Sequence, residues 1–166
     1  MSIRSAPVVV QRRKGGGLKI SKPAVQQMIR YRQDQHHLTE AGGVLLGRHI
    51  VGGRDVVIDL VTTPLPEDRR SRTRFHRARR RHQAAIDKVW RESGGTCLYL
   101  GEWHTHPEEW PQPSWIDRAD WCRKVVFDRF TGPIFFLIIG TRALTVWEAS
   151  RLVYPSAIAT VKFNAG

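Results

Sequence analysis

Gly101-Glu102-Trp103-His104-Thr105-His106-Pro107 is followed by a six-residue spacer and then by Ser114-Trp115-Ile116-Asp117. In extended backbone, side chains two apart share a face. His104 and His106 therefore converge on one point while Trp103 and Thr105 turn to the other side. Pro107, Pro111 and Pro113 disfavour further ladder pairing, so the chain leaves the strand, loops, and restarts as a helix at Ser114. Ser114 and Asp117 are three apart and share a face of that helix. Two imidazoles and one carboxylate make a three-ligand zinc site with a fourth position open, the arrangement of a catalytic rather than a structural centre. Such a centre lowers the pKa of its water to about 7 and polarises a carbonyl. It also needs a nearby carboxylate to carry the proton to the leaving amine.

Each half has a bland reading. His-x-His arises on many strands by chance, and Ser-x-x-Asp after proline is a common helix cap. Together, at this spacing, they favour the metal. Other His-x-His enzymes fit less well: a His-x-His-x-Asp-His motif would need an aspartate and a histidine where Glu108 and Glu109 stand. A barrel hydrolase needs roughly 250 residues, and a nucleobase deaminase needs a downstream Pro-Cys-x-x-Cys that is absent.

Outward from this stretch the pattern mixes helix and strand. Ser21 is a helix N-cap with Pro23 in the first turn, and Val25, Met28 and Ile29 predict a helix to about Gln33. Ala41 to Ile50 and Val56 to Thr63 read as a hairpin around Gly52-Gly53. From about Phe75 the apolar positions Ala85, Ile86, Val89 and Trp90 predict a helix stopped by Gly94-Gly95. Cys97 to Trp103 reads as a strand, Ser114 to Val125 as a short helix, and Ile134 to Ile139 with Leu144 to Glu148 as a second hairpin. Residues 1–17 read as a mobile N-terminal segment, with a short strand allowed at Val8 to Gln11 and a flexible joint at Gly15-Gly16-Gly17. Without a regular βαβ repeat, the order implies an α/β fold, a mixed β-sheet flanked by helices, in a single domain over residues 18–166.

The bulk numbers set bounds. A chain of 166 residues with a 41% apolar share and six tryptophans supports one ordinary core. The longest apolar run, Ile134 to Ile139, is far short of the roughly 20 residues that span a bilayer. Met1 to Lys14 has no apolar segment resembling a secretion signal, so a cytoplasmic location is expected. Cys97 and Cys122 are too few for a disulfide framework and are expected to be buried thiols. The net charge of +12 suits nucleic acid, an acidic protein or anionic lipid equally well, and by itself names no partner.

His104-Thr-His106-Pro107, six residues, Ser114, two residues and Asp117 resembles the JAMM (MPN+) metalloprotease motif, and Glu40-Ala-Gly-Gly-Val-Leu-Leu-Gly resembles the upstream glutamate strand of that family. The likeness covers roughly Leu18 to Ser150. It implies a JAB/MPN domain with a cytidine-deaminase-like α/β/α fold. It also implies a zinc-dependent amide hydrolase acting on isopeptide or peptide bonds after the C-terminus of ubiquitin-like proteins. By position, Glu40 would be the general acid/base, His104, His106 and Asp117 the ligands, and Ser114 the hydroxyl that stabilises the oxyanion. The flanking Gly-Glu-Trp-His-Thr-His-Pro and Pro-Ser-x-Ile-Asp-Arg look like the short bacterial deconjugating peptidases of CBASS antiphage operons. That likeness implies a substrate in which the C-terminus of a cyclic-nucleotide synthase is joined by an amide bond to a target. The alternatives are a peptidase of the same fold that processes a sulfur-carrier-like protein, and a non-catalytic MPN binding module.

Other features are read beside this. Eight arginines lie between Arg69 and Arg81. Arg77, Arg80 and Arg81 can line a solvated helix face, or the run can form a rim that docks an acidic partner. Nucleic acid as the main ligand is not favoured, because no binding motif accompanies the charge. Trp121 should be core, and Trp110 either packs or flanks the substrate tail. His36 and His37 read as a polar helix-end loop rather than a second metal site. Glu102 shares strand parity with the histidines and could face the site.

Overall fold

The computed structural model describes residues 6–163. In chain order the elements are β1 (Val8–Gln11), β2 (Gly17–Ile20), α1 (Lys22–Ile29), β3 (Gly42–His49), β4 (Val56–Val61), β5 (Arg69–Ser71), β6 (Arg74–His76), α2 (Arg79–Glu92), β7 (Leu98–Thr105), α3 (Trp115–Phe127), β8 (Ile134–Ile139), β9 (Ala143–Ser150) and β10 (Val153–Lys162). Eight strands form one mixed sheet in the order β1-β2-β4-β3-β7-β8-β9-β10, and β5 and β6 form a separate small hairpin. The architecture is the α/β sheet flanked by helices that the pattern implied. No helix among the described residues is long and apolar enough to cross a membrane.

The run Ile134 to Ile139 decides how the layers stack. All six residues are buried, because β8 is a central strand covered on both faces. Phe135, Leu137 and Ile139 join Trp103, Val25 and Met28 in one core, under α1. Ile134, Phe136 and Ile138 join Trp121 and Val125 in a second, under α3. Trp121 stacks on Phe136 with ring centroids 4.6 Å apart. Truncating a buried aromatic of this kind costs about 3–5 kcal/mol.

Three expectations are corrected. First, the segment over residues 1–17 does not read as mobile where it is described. Val8 and Val10 are buried in the first core while Val9 and Gln11 are exposed, a period of two that makes β1 an amphipathic strand paired with β2. Gly15 and Gly16, at φ 85° and 78°, close a tight turn between them rather than a loose joint. Arg12, just past β1, forms an ion pair with Glu148 of β9 at 2.8 Å, with both side chains less than a tenth exposed. Residues 1–5 lie outside the described ones.

Second, no helix begins at Phe75. The chain forms the β5–β6 hairpin first, and α2 starts at Arg79. Asp68 fixes that start. Its carboxylate accepts from the backbone N–H of Leu65 and of Ala78 at 2.7 Å each, and from His82 Nε2 at 3.0 Å. His82 is fully buried, and its Nδ1 lies 2.8 Å from the hydroxyl of Thr62, which accepts from Val44 N. A buried polar chain thus pins residues 62–82 to β3.

Third, α1 ends at Ile29, short of Gln33, and Gln33 instead turns its buried amide to Leu38 O and Arg72 O. Among these pieces, the pairing of β3 with β7 matters most for the site. It sets Gly42 opposite His104 in an antiparallel ladder. Continuing that register by two residues brings Glu40 beside His106. The glycines are needed here: a Cβ on Gly42 would meet the Phe75 ring and Trp103 O at 2.6 Å, and one on Gly43 would meet Thr62 O at 2.1 Å.

Candidate active site

β7 carries Trp103 and Thr105 into the first core and turns His104 to the opposite face, as its alternation demands. His106 lies one residue past the strand, held in line by its N–H to Ile139 O at 3.0 Å. Ser114 caps α3 through a reciprocal box. Its Oγ accepts from Asp117 N at 3.2 Å, its own N–H donates to Asp117 Oδ2 at 2.7 Å, and its hydroxyl donates to the same oxygen at 2.6 Å. The cap fixes the Asp117 rotamer and aims the carboxylate at the histidines.

The result is a compact triad. His104 Nε2 and His106 Nε2 are 3.1 Å apart, His104 Nε2 lies 3.4 Å from Asp117 Oδ1, and His106 Nε2 lies 3.4 Å from Asp117 Oδ2. Ligand atoms about 2.0–2.1 Å from a tetrahedral zinc stand roughly 3.3 Å from one another, a spacing that the two imidazole nitrogens, and each of them with its nearer Asp117 oxygen, already approach; one donor atom from each of the three groups lies within 4.8 Å of the others. Among the described residues they are the one group of His, Cys, Asp or Glu side chains with that convergence. Burial alone would raise the Asp117 pKa, but hydrogen bonds from His104 and His106 outweigh it and hold the carboxyl far below its usual range. Burial likewise opposes charge on His106, and the hydrogen bond to Asp117 with the nearby Glu40 overcomes it, leaving its pKa raised.

Glu40 completes the centre. Its Oε1 lies 3.8 Å from His106 Nε2 and its side chain is 7% exposed. Burial pushes its pKa up to about 7, with His106 and a hydrogen bond from the Phe75 backbone pulling the other way. A carboxyl poised there can accept and release a proton near neutral pH. Its backbone is gripped by the arginine hairpin: Glu40 N donates to Ser71 O at 2.7 Å, and Arg70 Nε donates to Glu40 O at 2.7 Å. On the far side Ala41 N donates to Thr105 Oγ1, which in turn donates to Gln33 Oε1 at 3.0 Å. Gln33, Arg70, Phe75 and Thr105 are the positioning residues that the sequence did not reveal. The one available signal was Thr105, whose hydroxyl on an inward face required a partner.

Glu102 faces the same cavity but is already occupied. It accepts from Arg77, from Lys124 at 2.6 Å and from Tyr99 at 3.2 Å. Burial would raise its pKa, but Lys124 and Arg77 outweigh that and keep it low, which suits a structural anion rather than a base. The cavity measures about 1190 Å³ and contains Glu40, His104, His106, Ser114 and Asp117 together.

Several candidates stay outside. Trp110 packs beneath the Lys162 ammonium, 5.1 Å from the ring centroid, and does not line the cavity. His36 and His37 are exposed on the loop after α1. Cys97, just before β7, and Cys122, midway along α3, are free thiols that are only half-buried, and neither belongs to a core cluster.

The family described as prokaryotic homologs of the JAB domain matches residues 21–153, a span that contains all five cavity residues just named. A CD-NTase/cGAS isopeptidase of Vibrio cholerae is 41% identical over 128 residues, covering 76% of this chain and 78% of the relative. Another of that name, from Escherichia coli, is 36% identical over 133 residues, covering 80% and 81%. A probable metalloprotease of Sinorhizobium fredii is 30% identical over 126 residues, covering 73% and 74%. In fold, the chain is similar to the solution structure of protein DSY2949 from Desulfitobacterium hafniense. The TM-score is 0.56 at 21% identity, over 83% of this chain and 87% of the other.

Proposed function

Because the chain belongs to the prokaryotic JAB family and is a JAMM-type hydrolase, we propose that it is a zinc-dependent isopeptidase acting on a ubiquitin-like conjugate. The bond cut is the amide after the conjugated protein's C-terminus, and that protein is a cyclic-nucleotide synthase joined to a target in antiviral defence. The names of the relatives from Vibrio cholerae and Escherichia coli support the substrate, and the flanking residues around His104 agree with it.

His104, His106 and Asp117 would hold the zinc, which when bound supplies a Lewis acid for the scissile carbonyl and makes water acidic enough to attack near neutral pH. The observation that carries the reading is Glu40, a buried carboxyl raised to about 7 and aimed into the same cavity as the three ligand groups. Its Oε1 takes the proton of the attacking water and passes it to the departing amine nitrogen. Ser114 donates its hydroxyl proton to Asp117 before reaction. As charge develops on the carbonyl oxygen that proton turns toward it, an interaction worth a few kcal/mol in the transition state. Arg70 and Ser71 keep the Glu40 backbone from drifting while its side chain exchanges the proton.

The reading is tested with a purified conjugate of synthase and target. Wild-type protein should release both halves, and a chelator or Glu40→Ala should stop it. Undiminished release in chelator, or no release by zinc-loaded wild type, would contradict it.

A further inference from the structure

The arginines between Arg69 and Arg81 divide by what they touch. Arg70 and Arg72 donate to main-chain carbonyls around Glu40 and His36, Arg77 pairs with Glu102, and Arg81 pairs with Glu67. Arg74 and Arg79 are different: both are exposed, both line the catalytic cavity, and neither guanidinium has an ion-pair or hydrogen-bond partner among the described residues. Arg129, past the end of α3, is likewise exposed and unpartnered on that cavity.

The opposing charge is largely accounted for. Glu102 and Asp120 are neutralised by Arg77, Lys124 and Arg123. Glu40 and Asp117 belong to the centre, and Glu108 sits 3.9 Å from His106. Asp128 is the remaining carboxylate on the walls, against three unpartnered guanidinium groups. The free arginines come from three separate places: the β5–β6 hairpin, the start of α2 and the end of α3. A guanidinium fork prefers carboxylate or phosphate, held by paired hydrogen bonds.

We propose that Arg74, Arg79 and Arg129 form the specificity rim of the cleft, and that they take acidic side chains of an extended polypeptide leading to the scissile amide. This rests on the isopeptidase reading for the nature of the ligand and deepens it: the substrate class is a protein with an acidic C-terminal tail. The cavity, at about 1190 Å³, exceeds the roughly 300–1,000 Å³ of most small-molecule sites and suits a peptide segment. Nucleic acid fits less well. The free cations are dispersed around a hollow that also contains Asp128 and Glu108, whereas a phosphate backbone calls for a continuous basic stripe.

The test is fluorescence anisotropy with the zinc-loaded full chain. The probes are a short labelled glutamate-rich peptide ending in a free carboxylate, its glutamine and lysine counterparts, and a single-stranded DNA oligonucleotide. The glutamate peptide should bind on the order of tenfold more tightly than the glutamine one, with the lysine peptide weakest and the preference lost at high salt. Arg74→Glu with Arg79→Glu should remove the preference, and so should Arg129→Glu alone, which decides the matter if the double variant does not fold. Arg69→Glu with Arg80→Glu, charges exposed outside the cavity lining, should leave it intact. Charge-blind binding, a preference that survives Arg129→Glu, equal loss in the Arg69/Arg80 control, or tighter binding of the oligonucleotide would overturn the proposal. Hydrolysis is scored separately. Selective binding without cleavage of any conjugate sinks the isopeptidase reading, and cleavage without selective binding sinks the rim.

Discussion

Glu40 Oε1 stands 3.8 Å from His106 Nε2, and the β3–β7 register brings the two together by setting Gly42 opposite His104. The proposed base and one of the proposed ligand groups are thus fixed by one ladder, so removing the carboxyl should leave the histidines and Asp117 in place. Glu40→Gln is expected to keep its zinc and its melting temperature while kcat falls by about 10²–10⁴. Turnover within tenfold of wild type would assign the proton transfer to another group.

Arg70 acts through the backbone of Glu40, to whose carbonyl its Nε donates at 2.7 Å, with a second contact to Thr39 O at 3.3 Å. Arg70→Ala should lower kcat by roughly tenfold, with KM and zinc content close to wild type. Lysine cannot make the same two-pronged contact, so Arg70→Lys should not restore the rate. A change confined to KM would place Arg70 in substrate binding instead.

Glu102 answers to Arg77 and Lys124, whose side chains are 20% and 9% exposed. Glu102→Gln leaves two partly buried cations without their anion and should cost about 2–4 kcal/mol in denaturant unfolding. Zinc-loaded protein that remains folded should still hydrolyse substrate. Loss of turnover at full stability would give Glu102 a part in the chemistry.

Asp68 is one of the carboxylates that tie the stability of the fold to pH. Burial acts to raise its pKa, but the N–H groups of Leu65 and Ala78 and the His82 ring outweigh burial and leave it below the ordinary aspartate range. Its stabilisation is therefore present above its unfolded pKa and lost as pH falls through the lower folded value. Asp68→Asn should be less stable than wild type at neutral pH by about 1–3 kcal/mol. The gap should narrow as pH drops below 4, as followed by thermal melts. A gap that does not change with pH would mean the carboxylate's charge contributes nothing.

The parts of the fold legible in the sequence are those where side-chain period and burial agree. Trp103 and Thr105 against His104, the Ser21 and Ser114 caps, and the apolar β8 all carried their geometry in their residue types. The β5–β6 hairpin did not, because three-residue strands of Arg, Ser, Phe and His have no apolar alternation, and their ladder serves Glu40 rather than a core. The Gly15-Gly16 turn read as a loose joint because positive φ and flexibility look alike in sequence. The proposed ligand groups were visible because metal coordination fixes residue type and spacing. Arg70 and Phe75 were not, since they hold Glu40 through main-chain groups that any sequence possesses, and Gln33 was not, since it acts only by way of Thr105 and Ala41.

Zinc stoichiometry by mass spectrometry across a short series of variants bears most directly on the centre. One zinc per chain is expected in wild type and in Glu40→Gln, with near-complete loss in His104→Ala, His106→Ala and Asp117→Ala. Zinc retained at wild-type level when any of those three ligand groups is removed would contradict the centre described here.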